Sequence, residues 1–152
     1  MDQEQNELIF KKGLLGHILV KRNIITEKQL EQALQVQKTT QGYIGEILVK
    51  LGFAEELEVV AALIVQCNFP YIAISKYEID KNILQIIPKE FAQKNRVIPL
   101  DRVGDILSVV MVDPLDVSIR AQLHRITNYT IVPFITTAKE MNNALENLYA
   151  NF

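Results

Sequence analysis

Leu14–Gln37 reads LLGHILVKRNIITEKQLEQALQVQ and Tyr43–Gln66 reads YIGEILVKLGFAEELEVVAALIVQ, two 24-residue stretches separated by KTTQG. Shifting the chain 29 residues along itself pairs Gly16 with Gly45, Ile18 with Ile47, Leu19 with Leu48, Val20 with Val49 and Lys21 with Lys50. The match resumes at Glu27/Glu56, Ala33/Ala62, Leu34/Leu63, Val36/Val65 and Gln37/Gln66. Ten identities in 24 ungapped positions mark an internal duplication, so each copy is one supersecondary unit.

Within each copy the apolar residues recur at three- and four-residue intervals, the period of an amphipathic helix. Leu8, Ile9, Leu14, Leu15, Ile18 and Leu19 form the first such helix. It ends near Asn23, a residue that tolerates a left-handed C-cap. Thr26 with Gln29 is a capping box, Ile25 stands where a hydrophobic staple is placed, and Leu30, Ala33, Leu34 and Gln37 line one face. In the second copy Gly52 replaces Asn23, and Ala54 replaces Ile25 with no evident cap. Val59, Val60 and Ala62–Val65 leave the fourth helix almost without a polar face, which predicts that it is the most buried. Two helical hairpins, neither able to cover its own stripe, predict a small four-helix bundle.

After Asn68 the period changes. Tyr71–Ile74 predicts a short strand, Ile79–Ile87 a turn or two of helix, and Pro88 the first position of another short helix. Val97–Leu100 and Ile106–Val112 predict two strands around a Gly104-Asp105 turn. Pro99 lacks a ladder donor and places the first of them at an edge. Val117–Thr127 predicts a helix and Tyr129–Ile135 a strand, a strand-helix-strand unit. Thr137 and Glu140 form a capping box for a last helix that carries Met141, Ala144, Leu145 and Leu148. The expected fold class is α+β: a four-helix subdomain over residues 1–67, with motifs at 14–37 and 43–66, followed by a small α/β subdomain over 68–152.

The chemistry-bearing residues are sparse. A net charge of -2 gives no footprint for nucleic acid. The single Cys67 permits no intrachain disulfide, the polar start MDQEQNE does not read as a signal peptide, and no apolar run is long enough to span a bilayer. A cytoplasmic location is therefore expected. The sequence has no Gly-Lys pair and thus no phosphate-binding loop, and neither G-x-G-x-x-G nor G-x-S-x-G occurs. His17 and His124 lack partners at metal-ligand spacing. Asp113-Pro114-Leu115-Asp116 admits a carboxylate pair for a metal, but a turn that ends a strand and caps a helix accounts for it more simply. The chain reads as no enzyme by itself, with no cofactor, no catalytic residue and no metal site.

The repeats and the second half together resemble the N-terminal domain of type II secretion and type IV pilus assembly ATPases, the general secretion pathway protein E family, in its MshEN form. The family's helical motif R-L-G-x-x-L-x-x-x-G-x-x-x-x-x-x-L-x-x-x-L-x-x-Q fits twice. The first copy keeps Leu15, Gly16, Leu19, Leu30, Leu34 and Gln37; the second keeps Gly45, Leu48, Gly52, Leu63 and Gln66, with Ile44 and Val59 as near replacements. Pro88 with its short helix, the Val97–Leu100 strand, the Asp113-Pro114 turn and the helix ending at Tyr149 extend the likeness.

The resemblance implies a regulatory domain preceding an ATPase engine in the same polypeptide. Such a domain docks that engine on the cytoplasmic part of an inner-membrane platform protein, without entering the membrane or binding nucleic acid. It also implies cyclic di-GMP as a possible ligand of the motif residues. Leu14 and Tyr43 stand at the two arginine positions and Asn23 at the first copy's second glycine, so both guanidinium forks are missing. Lys11, Lys12, Lys21 and Lys50 are the cations near the motifs, and Tyr43 is able to stack on a guanine.

Overall fold

The computed structural model describes residues 14–40 and 42–150. The expected helix residues Leu8 and Ile9 and the cations Lys11 and Lys12 lie outside them, as do the side chains of Leu14, Gln66 and Cys67. The chain divides into two compact units, Met1–Asn68 and Phe69–Phe152, which pair a helical repeat unit with a mixed α/β unit and give the α+β class expected.

The first unit holds α1 (Leu14–Lys21), α2 (Glu27–Thr40), α3 (Ile44–Lys50) and α4 (Glu56–Cys67). The two copies fold alike down to their hydrogen bonds. In the first, Ile24 N–H donates to Leu19 C=O at 3.0 Å and Asn23 N–H to Val20 C=O at 2.9 Å; in the second, Phe53 donates to Leu48 at 2.9 Å and Gly52 to Val49 at 3.0 Å. This is the Schellman C-cap twice, and it needs a left-handed residue at its centre. Asn23 has φ 59° and Gly52 has φ 77°. The next helix starts in register as well. Thr26 and Gln29 exchange side-chain to backbone bonds of 2.9 and 3.2 Å. Where no cap was evident in the second copy, Glu58 accepts the Glu55 N–H at 2.8 Å in a reciprocal capping box. Glutamate is long for the task, but 55 and 58 are the positions of Thr26 and Gln29 moved by one repeat.

The short helices α1 and α3 each touch the other three. Their glycines set how close. A Cβ on Gly16 would collide with Leu30 Cδ1 on α2, and a Cβ on Gly45 would lie 3.0 Å from Leu15 Cδ2 and 3.1 Å from Val59 Cγ1. Leu30 and Val59 are themselves repeat partners. Around these contacts Leu15, Leu19, Ile25, Ala33, Ile44, Ile47, Leu48, Val60, Ala62 and Leu63 form the core. The fourth helix departs from expectation: it buries Val60, Ala62 and Leu63 but leaves Leu57, Ile64 and Val65 exposed. One side of a helix is all that its two short neighbours, α1 and α3, can cover.

The second unit opens with Tyr71, which makes an isolated parallel bridge to Ile135 instead of the expected strand, and turns at once into a 3₁₀ segment, Ile74–Lys76. Ile135 N–H donates to Pro70 C=O at 2.9 Å and Ile72 N–H to Ile135 C=O at 3.0 Å. Two residues back along that edge stands Pro133, which has no N–H to extend the ladder. Then follow α5 (Lys81–Leu84), capped by Asp80, and α6 (Lys89–Asn95), whose N-cap is Pro88 rather than its first helical residue.

The sheet is three-stranded in the order β1-β2-β3, with β1 (Val97–Val103), β2 (Ile106–Met111) and β3 (Thr130–Ile135). β1 is an edge strand, antiparallel to β2 from Val97↔Met111 to Val103↔Ile106, with a bulge at Leu100 beside Pro99. β3 runs parallel to β2 and is reached through α7 (Val117–Thr127), which packs on β3 and buries Ile119 and Leu123. Leu107, Val109 and Met111 are buried on one face of β2; on the other, burial grades from exposed Ile106 to buried Val110. The last helix, α8 (Ala138–Leu148), buries Met141, Ala144 and Leu145. Only half of its expected capping box forms. Thr137 Oγ1 accepts the Glu140 N–H at 3.2 Å, while the Glu140 carboxylate accepts from the hydroxyls of Tyr71 and Thr136 and so ties the Tyr71 segment to α8.

The glycine contacts generate a prediction. Gly16→Ala gains about 1 kcal/mol of helix propensity and loses about 1–3 kcal/mol to overpacking against Leu30. A net loss of about 1 kcal/mol is expected in urea melts, with Leu30→Val recovering part of it in a double-mutant cycle.

Candidate ligand and docking site

The motif residues divide by burial into three sets. Leu15, Leu19, Leu30, Ile44, Leu48 and Leu63 lie in the core with Gly16 and Gly45, and contact other side chains of the bundle. Leu34, Gln37, Tyr43 and Val59 are half-buried, and Asn23 and Gly52 are exposed at the two helix breaks. Only the second and third sets offer surface to a ligand in this conformation. Gln37, which closes the first motif, donates from Nε2 to Gly42 C=O at 2.9 Å and so pins the linker between the repeats. Tyr43 is the extended residue that precedes α3, with φ -74° and ψ 138°.

A phosphate requires donors. The Asn23 and Gly52 N–H groups already donate within their Schellman caps. Leu14 and Tyr43 have none of the planar forks that arginine would bring. Exposed Lys21 and Lys50, on the last turns of α1 and α3, remain as cations in register, with Arg22 next to the first. Substitution of Gly16 or Gly45 by aspartate cannot separate binding from folding, because both glycines sit against neighbouring side chains.

In the second unit the Asp113–Asp116 segment is a turn and a cap. Asp113 Oδ1 accepts the Leu115 N–H at 3.1 Å, and Asp116 Oδ1 accepts those of Ser118 and Ile119 at 3.1 and 3.2 Å at the start of α7. His124, on α7, has Nδ1 2.7 Å from the Tyr129 C=O, and His17 is exposed. Among the described residues no group of three or more His, Cys, Asp or Glu is placed to hold a metal, and no helix is long and apolar enough to cross a membrane.

The MshEN domain model matches residues 67–151, more than half of the chain. The chain belongs to the MshEN domain family. The match falls on the α/β unit, whereas the resemblance was carried mainly by the repeats. The type IV pilus assembly ATPase PilB of Myxococcus xanthus is 33% identical over 138 residues, 91% of this chain and 24% of that protein. PilB of Thermus thermophilus is 25% identical over 137 residues, 89% of this chain and 15% of that protein. The chain thus spans a quarter or less of these relatives.

Among solved structures, MshE with cyclic di-GMP superposes with a TM-score of 0.72 at 31% identity, covering 88% of this chain and 96% of that one. That coverage takes in both units of this MshEN domain. The N-terminal domain of XpsE superposes with a TM-score of 0.70 at 13% identity, covering 87% and 91%, and shares the fold.

Asp113 gives this MshEN domain a pH dependence. Burial raises its carboxyl to about 6, against the Leu115 N–H and Arg120, which favour the charge, and with Asp116 adding repulsion. The unfolded group titrates near 3.8. The folded state therefore holds the proton more tightly, and that contribution is complete below the unfolded value and lost as pH rises toward 6. A loss on the order of 3 kcal/mol between pH 4 and pH 6–7 is expected from this group. Denaturant melts of Asp113→Asn should lack that slope, and at pH 7 the variant should be the more stable protein.

Proposed function

We propose that this chain is a non-catalytic regulatory and docking domain of a pilus or secretion ATPase. In this reading it binds the cytoplasmic part of an inner-membrane platform protein, is recruited to the inner face of that membrane, and couples the contact to an engine elsewhere in its polypeptide. The observation that carries this is the 33% identity to PilB over nine-tenths of the chain but only 24% of that ATPase, together with the lack of any Gly-Lys pair for a phosphate-binding loop. Any ATP hydrolysis belongs, on this reading, to a part of the protein that this chain does not contain. A pull-down or titration of the domain with the platform's cytoplasmic domain, without nucleotide, is expected to give saturable binding; none at high concentration would reject the docking role.

A second reading, cyclic di-GMP reception, is favoured by the likeness to MshE with cyclic di-GMP at 31% identity and a TM-score of 0.72. Lys21 and Lys50 would then supply the charge, Tyr43 a stacking face, and Asn23, Leu34, Gln37, Gly52 and Val59 the accessible remainder, on cores built by Leu15, Leu19, Leu30, Ile44, Leu48 and Leu63. Two lysines are point charges where a bidentate fork is absent, which makes docking the leading reading. Calorimetric titration with cyclic di-GMP, with GTP as control, separates the two. Heat specific to the cyclic ligand, reduced at least ten-fold in affinity by Lys50→Ala or Tyr43→Ala, supports reception; silence leaves the repeats as scaffold.

A further inference from the structure

Helix α4 is apolar on two sides. Val60, Ala62 and Leu63 face the bundle and are buried. Leu57, Ala61, Ile64 and Val65, spaced i, i+4, i+7, i+8, lie along the opposite side and are exposed, Leu57 to 71% and Val65 to 64%.

The first repeat is an internal control. One repeat earlier, the positions of Leu57, Ala61 and Ile64 hold Lys28, Gln32 and Gln35, all exposed. A hairpin of this geometry therefore folds with polar residues at these three positions, while Val65 keeps the valine of Val36, and nothing in the bundle calls for apolar side chains at 57, 61 and 64.

Charge gives the character of what covers it. Glu55 caps α4, Glu56 and Glu58 occupy its first turn, and α4 contains no Lys, Arg or His. Glu58 lies three and seven residues before Ala61 and Val65, along the border of the stripe. An anionic lipid surface would be repelled by these carboxylates, and a second copy of α4 would bring no cation to them.

We propose that the Leu57–Val65 stripe is the docking face for an amphipathic helix of the partner protein, apolar on one side and carrying lysine or arginine where it passes the first turn of α4. This rests on the docking reading above and gives it a surface.

The test uses the whole 152-residue chain and two probes: the platform's cytoplasmic domain, and a synthetic leucine-lysine amphipathic helix with a leucine-glutamate helix as counterpart. The variant joins Leu57→Lys, Ala61→Gln and Ile64→Gln, the residues of the first repeat; Leu57→Lys alone serves if the triple variant does not fold. The variant is expected to keep the wild-type melting curve and lose at least ten-fold in affinity for the platform domain and the leucine-lysine helix. Wild-type binding is expected to weaken with salt, and the leucine-glutamate helix to bind at least ten-fold more weakly. Equal binding of the platform domain by wild type and variant overturns this proposal and leaves the docking reading standing. Variant-sensitive binding of the leucine-lysine helix without any of the platform domain rejects the docking reading and supports the assigned chemistry of the stripe. A concentration-dependent dimer that the variant abolishes, or variant-sensitive binding to phosphatidylglycerol vesicles, overturns the proposal in favour of those occupants.

Discussion

The helical unit depends on the close approach of α1 to α2 at Gly16 and Leu30, and of α3 to α1 and α4 at Gly45, Leu15 and Val59. Where the first helix of each copy has no side chain, a branched one from a later helix takes the space. Side chains in protein interiors are packed near crystal density, so the distance between two helices is set by the smallest residue at their crossing. Leu19 and Leu48, three residues on, can then be fully enclosed although the helices that carry them have only about two turns. A longer helix could spread the same burial over more contacts; α1 and α3 cannot.

That constraint changes what the motif residues mean. A sequence pattern of glycines and leucines looks like a list of ligand contacts, yet most of these positions are accounted for by interhelical packing. The helix breaks are satisfied internally as well, since the amides of Asn23 and Gly52 close their own caps. A small bundle of this kind is a rigid platform whose surface can diverge while its interior stays fixed. The two copies illustrate it: α2 shows Lys28, Gln32 and Gln35 to solvent, and α4 shows Leu57, Ala61 and Ile64 at the same positions. The α/β unit follows a different economy, in which carboxylates hold turns and helix starts. Asp116 caps α7, and Glu140 gives up half a capping box to hold Tyr71 and Thr136.

Much of this was legible in the chain itself. The duplication, the left-handed break at Asn23, the Thr26-Gln29 box, the hairpin around Gly104 and the span of α7 are local matters, decided by side-chain shape and backbone preference within a few residues. The family could be read from residues too, because spacing within a repeat survives as a pattern. Illegible were features that need a partner from elsewhere in the chain. Nothing near Tyr71 shows that its ladder stops at one bridge, because forward extension needs β3, which ends at Ile135 just before Thr137 caps α8. Nothing in Glu140 shows that its carboxylate serves another segment.

Sequence alone thus determined the repeat, its helices and the absence of a phosphate-binding loop, since periodicity and motif chemistry are properties of neighbouring residues. Only the tertiary structure decided which apolar residues are core and which are surface. The run Val59–Val65 has no polar residue to orient it, so the hydrophobic effect favours burying every side of α4 equally. The packing of two short neighbours, α1 and α3, chose Val60, Ala62 and Leu63, and left Leu57, Ile64 and Val65 facing outward.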